Sequence, residues 1–316
     1  MLDGLPPWFL LTYVGVAGAV IGSFLNVVIA RLPAGESLMR PRSRCPHCHV
    51  MIHWYDNVPV LSWLVLRARC RACRAPISIR YPLIELLMSA LALAVFARVG
   101  PTWQLLVWLP LAAAMLAITF LDIDHYWVPD VITFPCMVWA LAGALLPGGI
   151  GVTTALLGLA PALFLWAFAW AFERVMKREG MGLGDIKLLA VIGLALGPLS
   201  ALVVLLLGSL QGSVAGLVVL ATGGHPRVGD DDEKAPNPSS TSTSTKSPDA
   251  APTTPATGPS ALGRDDDDDD DDDWTPHPRA IPFGPFLVLG TYQVLLLPEI
   301  FLDKPLELMR LAGWSP

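Results

Sequence analysis

Charge is what this sequence has least of. Asp, Glu, Lys and Arg together make up 15% of its 316 residues, where a soluble domain carries about 25%. With 53% hydrophobic residues and a mean hydropathy of +0.54, that scarcity excludes a chain with a solvated surface on all sides. A second absence lies at the start. Met1-Leu-Asp-Gly-Leu-Pro-Pro7 has no basic stretch, and no small-residue cleavage site precedes Arg31. The first apolar run therefore reads as a retained membrane helix and not as a secretory signal. No internal repeat is visible.

What is present is a series of apolar runs, at 8–29, 82–97, 103–121, 131–146, 152–172, 186–197, 199–221 and 285–302. Most approach the roughly 20 residues that cross a bilayer, and only internally bonded backbone survives in lipid outside a closed barrel. The expectation is an all-α polytopic membrane protein of about eight transmembrane helices. Residues 186–221 read either as two tightly joined helices broken at Gly197-Pro198 or as one long tilted helix. Segment 31–81 holds nine arginines against Glu36 and Asp56. That excess puts it in the cytoplasm with the N-terminus outside. Alternating spans then bring the loops after 121, around 173–185 and across 222–281 to the same cytoplasmic side.

The chain divides by composition into five parts: a first helix (1–30), a small cytoplasmic module (31–81), a membrane core (82–221), a low-complexity insert (222–281) and a last helix with its tail (282–316). The insert contains Ser239-Ser-Thr-Ser-Thr-Ser-Thr245 and an unbroken run of aspartates over 265–273, with five basic and fourteen acidic residues. It cannot bury enough apolar area to offset the entropy of ordering, so disorder is expected. It reads as a solvated, self-repelling loop or as an acidic lure for a basic partner.

Cys45-Pro-His-Cys48 and Cys70-Arg-Ala-Cys73 form a CxxC…CxxC pair. Each pair can make a knuckle whose thiolates point at one ion, and two knuckles complete a tetrahedral Zn²⁺ site. Disulfides are disfavoured in the cytoplasm, which favours metal. Four sulfurs leave no open position, so zinc at Cys45, Cys48, Cys70 and Cys73 would be structural and would supply part of the module's folding energy. His47 and His49 read as solvated, because four thiols suffice. The arginines read as topology signals that also meet anionic lipid headgroups; no nucleic acid is expected. Cys136, inside an apolar run, reads as a small buried hydrophobe.

Two carboxylates stand at the rims of apolar runs, Asp122 and Asp185. A carboxylate beside hydrocarbon is costly and marks function. Two that meet cannot both ionise cheaply and so share a proton, which is what hydrolysis of an amide by water requires. Gly182 and Gly184, in Gly182-Leu-Gly-Asp185, permit tight turns and close backbone approach. Alone, this tetrad is a weak motif, and a membrane aspartate also suits a proton relay or transporter.

The context is specific. Asp122-Ile-Asp-His-Tyr-Trp-Val-Pro129-Asp130, followed by Gly182-Leu-Gly-Asp185-Ile-Lys187, closely resembles the type IV prepilin peptidases, a family of membrane aspartic peptidases. Gly22-Ser-Phe-Leu-Asn26, Trp54-Tyr-Asp-Asn57-Val-Pro59, Arg80-Tyr-Pro-Leu-Ile-Glu85 and Pro282-Phe-Gly-Pro285 also match, in order. The resemblance implies an enzyme of the bacterial inner membrane. Such an enzyme cuts the basic leader from prepilins and pseudopilins after a glycine, at the cytoplasmic face, with Asp122 and Asp185 catalytic. Its partners would be those substrates, the pilus or secretion machinery and membrane lipid. Family members that keep the cysteines typically also methylate the new N-terminus with S-adenosylmethionine; no residue here is marked for that step. Asp124 and Asp130 match family positions and read as supporting polar groups. Lys187 reads as tuning a nearby carboxylate or as a boundary lysine reaching the headgroups. Glu85 reads as a contact to substrate or cofactor, or as the partner of a loop arginine. The insert departs from the family pattern but leaves the aspartate motifs intact. Outside this reading stand a peptidase without methylation, a proton-coupled transporter and a zinc-ribbon binder of nucleic acid, the last thinly supported by Trp54, Tyr55 and Trp63.

Overall fold

A computed structural model describes residues 6–177, 182–222, 281–304 and 307. The expected disorder of the insert lies outside these residues, as do residues 1–5. Among the described residues there is no strand, and ten α-helices follow one another. α1 (Pro7–Arg31) leads into the cysteine-bearing segment, which holds the short α2 (Leu61–Val65). Then come α3 (Arg80–Val99), α4 (Trp103–His125), α5 (Asp130–Ala144), α6 (Val152–Leu157), α7 (Ala160–Met176), α8 (Leu183–Leu196), α9 (Pro198–Thr222) and α10 (Gly284–Leu296).

Each expected apolar run holds α-helix, although the run over 285–302 is α-helical only to Leu296, where Leu297 (φ −129°, ψ 50°) leaves the helix. α1, α3, α4, α9 and the stretch Val152–Met176 are long and apolar enough to span a bilayer, so this is a multi-pass membrane protein. α5, α8 and α10 have 15, 14 and 13 residues. The stretch expected as one helix over 152–172 is two, α6 and α7. Pro161 lies in the first turn of α7 and cannot continue the ladder of the preceding helix. At the same break Gly158 rests on the backbone of Gly193, leaving no room for a side chain at either position. Residues 186–221 are likewise two helices, separated at Gly197, whose φ of +85° ends α8 before Pro198 opens α9.

α4 is the central element. Its apolar window is 61% buried, against 11% for α9, and it packs on α1, α3, α5 and α10. Leu111, Met115 and Ile118 meet Leu188, Val191 and Ile192 of α8 and Leu287 of α10 in one core. Lipid gives apolar helices no reason to associate, so close fit does the work. The α1–α3 pair shows how: a Cβ on Gly18 would stand 2.8 Å from that of Ala92, and one on Gly22 2.7 Å from the Cα of Glu85. Hydrogen bonds reinforce the contact. Ser89 donates to the carbonyl of Gly15 at 2.8 Å, and the buried Asn26 to that of Tyr81 at 3.1 Å.

The cysteine segment holds a repeat that its sequence hides apart from the two CxxC pairs. Cys45 N–H donates to Val50, His49 to Cys45 and Ile52 to Ser43; Cys70 donates to Ala75, Arg74 to Cys70 and Ile77 to Ala68. Each bond recurs at an offset of 25 residues, as do the bridges Arg44–Met51 and Arg69–Pro76. His49 and Arg74 share a left-handed turn, with φ of 56° and 60°.

Candidate active site

Asp122 lies in the last turn of α4 with 6% exposure. The helix ends at Tyr126, whose left-handed backbone (φ 52°, ψ 36°) lets its N–H close on the Asp122 carbonyl at 2.9 Å. Asp185 lies in the first turn of α8 and is half-buried. A Cβ on Gly184 would stand 2.9 Å from Cβ of Val128, in the loop between α4 and α5. Its absence is what lets α8 settle against that loop. Gly182 caps α8 and has open space around it. The result is that Asp122 and Asp185, 63 positions apart, come close enough for their charges to act on each other. The Asp122 carboxyl also accepts the N–H of Gly284 at 3.0 Å, from the start of α10. Two carboxyls within each other's field resist ionising together, so one of them favours keeping its proton.

Asp124, Asp130 and Lys187 are engaged around this pair. Arg80 makes a two-pronged pair with Asp124, one bond at 3.1 Å, while its guanidinium lies 5.0 Å from the Phe120 ring centre. Lys187 Nζ donates to Asp130 at 2.5 Å. The carboxylate that Lys187 meets is thus Asp130 and not Asp185. Glu85 is buried, and its Oε2 accepts the Val60 N–H at 2.7 Å. That contact is to a strained residue, since Val60 is β-branched yet has φ of 60°. The loop arginine read as its partner in the sequence is not the one seen.

The sulfurs of Cys45, Cys48, Cys70 and Cys73 lie within 4.8 Å of one another, and Cys45 and Cys73 are 3.8 Å apart. A tetrahedron with Zn–S bonds of about 2.3 Å has edges of about 3.8 Å, so the four residues fit a zinc ion, and they can hold a metal. The N–H groups of Cys73 and Ala72 bring the Cys70 thiol down to about 7, whereas Cys73, despite the Ala75 N–H, is pushed up to about 11 by burial and the neighbouring cysteines; the metal reading therefore rests on the sulfur geometry. His47 and His49 are exposed and outside the cluster. Cys136 is buried in α5, in the core. Asp56 is held below the usual carboxylate range chiefly by its two-pronged bond to Arg71, at 2.6 and 2.8 Å.

Comparison with known proteins gives the family. Residues 16–99 match the bacterial peptidase A24 N-terminal domain, and residues 109–217 match the type IV leader peptidase family. A prepilin leader peptidase/N-methyltransferase of Myxococcus xanthus is 37% identical over 95% of this chain and 94% of its own. The chain belongs to the type IV leader peptidase family. It is thus an enzyme, a peptidase, and the other relatives agree. A protein of the same name from Aeromonas hydrophila is 41% identical over 69% of this chain and 84% of its own. A type 4 prepilin-like proteins leader peptide-processing enzyme of Escherichia coli is 39% identical over 64% and 83%. No solved structure matches the chain.

Two residues beside the paired aspartates had no role read for them in the sequence. Gly284 was visible only inside Pro282-Phe-Gly-Pro285, where a glycine before the first proline of a helix signals a helix start. Tyr126 lies within the field of Asp122, and nothing in its spacing announced it.

Proposed function

We propose that the protein removes the leader from prepilins and pseudopilins, with Asp122 and Asp185 as the two catalytic carboxyls. The single observation that supports this most is the convergence of those aspartates from α4 and α8 at one rim of the helical core. One carboxyl takes a proton from water as the water attacks the scissile carbonyl, and the other protonates the carbonyl oxygen. The rim lies on the cytoplasmic side of the inner membrane, because the arginine-rich segment and both aspartates share one face. Asp124, Asp130 and Lys187 act as supports through their ion pairs, and Gly184 through its fit on Val128. Zinc on the four cysteines is structural.

The new N-terminus is then methylated, with S-adenosylmethionine supplying the methyl group; the relatives' names support this step. A cavity of about 280 Å³ beside the end of α1 is lined by Arg31, Arg42, Trp54 and Asn57 with no carboxylate. With two arginines and no carboxylate, it suits an anion better than a sulfonium cation.

The test is coexpression with a candidate prepilin and exact mass of the product. Loss of the leader plus one methyl group supports the whole reading, and loss of the leader alone supports a peptidase without methylation. Asp122→Ala and Asp185→Ala should each lower cleavage by more than about a thousandfold while the protein still inserts. Normal processing by either variant would refute the assignment.

A further inference from the structure

The reaction needs one ionised and one protonated carboxyl, and two aspartates are interchangeable until something breaks the tie. A hydrogen bond does so here. Gly284 donates its N–H to Asp122 Oδ2 at 3.0 Å, whereas among the described residues no donor reaches the carboxyl of Asp185. Gly284 opens α10, so the donor belongs to a helix N-terminus, where unpaired N–H groups carry partial positive charge. A donor fixed on a carboxylate favours its ionised form. The position also tolerates only hydrogen, because a Cβ on Gly284 would lie 2.5 Å from the same oxygen.

We propose that Gly284 sets the division of labour: Asp122, held by the Gly284 N–H, is the ionised general base, and Asp185 is the protonated general acid. This rests on the two-aspartate reading given above. The other titratable groups near Asp122 do not reverse the assignment. Asp185, on α8, loses its charge when protonated. Tyr126 is neutral at working pH and lies at the end of α4 itself. Asp124 is neutralised by Arg80 of α3, and Asp130 of α5 by Lys187. Glu85 of α3 is turned to Val60, and Arg31 of α1 to the carbonyl of Ser37. On α10, Tyr292 donates its hydroxyl to Ala112. α8 also begins two residues before Asp185, and its end exerts a field on that carboxyl. That field comes without a bonded donor and is the weaker influence.

The steps then balance. Asp122 accepts a proton from water while the water oxygen bonds to the scissile carbonyl carbon. Asp185 passes its proton to the carbonyl oxygen, giving a tetrahedral diol. As the carbon–nitrogen bond breaks, Asp122 gives its proton to the departing amine and Asp185 recovers one from a hydroxyl. Half-buried Asp185 faces the substrate carbonyl, and the enclosed Asp122 faces the water.

The decisive change removes the N–H and nothing else: an ester in place of the 283–284 amide, made by inserting glycolic acid at position 284 of the full chain in nanodiscs. The acid limb of the pH profile of prepilin cleavage (kcat/KM) should move up by about one pH unit while the basic limb stays. An unmoved acid limb, or a shift of the basic limb alone, overturns the assignment. A second measurement needs no change at Gly284. Asp185→Asn is compared by infrared spectroscopy with the double variant Asp122→Asn/Asp185→Asn at neutral pH. The difference should show an ionised carboxylate, and a protonated carboxyl band there would overturn the proposal. Should Asp122→Asn or Asp185→Asn still cleave prepilin normally, it is the two-aspartate reading that fails.

Discussion

Asp124 and Lys187 each stand two positions after one of the paired aspartates, and both are tied to another helix. At 100° per residue, a side chain two positions on points to nearly the opposite side of the helix. The inward carboxyl and the outward charge therefore fix each helix in rotation. Arg80 grips Asp124 with a planar fork that lysine cannot copy. Arg80→Lys and Asp124→Asn should both lower kcat/KM for cleavage, by between about ten- and a hundredfold, with less than about 1 kcal/mol lost in stability because the pair is partly exposed. An unchanged kcat/KM would show that this tie does not position the site. Glu85 acts differently. Glu85→Ala leaves the Val60 N–H unpaired in a strained turn, and should cost about 2 kcal/mol in thermal unfolding. Glu85→Gln keeps an acceptor and should recover most of that loss.

At the scale of helices, much was legible. Apolar runs announced all eight hydrophobic segments, because hydrocarbon length is written directly in composition. Gly197-Pro198 marked a break that proved real. The break between α6 and α7 was hidden because Pro161 sits among alanines and leucines, where hydropathy does not dip. The two aspartates were legible from their motifs, but their partners were not: Arg80 to Asp124, Lys187 to Asp130 and Gly284 to Asp122 span 44, 57 and 162 positions. Such pairings follow from helix packing, which one sequence does not spell out. Packing also gives motif glycines a plainer meaning than substrate approach. Gly184→Val should push α8 off Val128 and abolish cleavage, while Gly22→Val should part α1 from α3 and cost about 1–3 kcal/mol, read from thermal unfolding in detergent.

For the molecule as a whole, the arginine-rich module is tied to the membrane helices by the bond from Val60 N–H to the Glu85 carboxyl. Removing metal should therefore be felt first in the module. Cys73→Ser should abolish stoichiometric zinc by elemental analysis and expose residues 40–75 to protease, with the helical core still folded. Bound metal throughout would refute the tetrathiolate reading. The acidic insert lies between segments that carry no missing part of the aspartate motifs. Replacing residues 226–280 by a short Gly-Ser linker should leave prepilin cleavage within about threefold of the parent, since such linkers add little closure cost.

The 25-residue correspondence between the two cysteine hairpins has a structural corollary. A chimera in which 68–77 is rewritten as a second copy of 43–52 would preserve all six main-chain bonds that shape the cage. What it would forfeit is the clasp of Arg71 on Asp56. The scaffold of the cage is thus a doubled unit, whose second copy is told apart from the first by side-chain contacts such as this clasp and the bond from Trp63 to the Ile77 carbonyl.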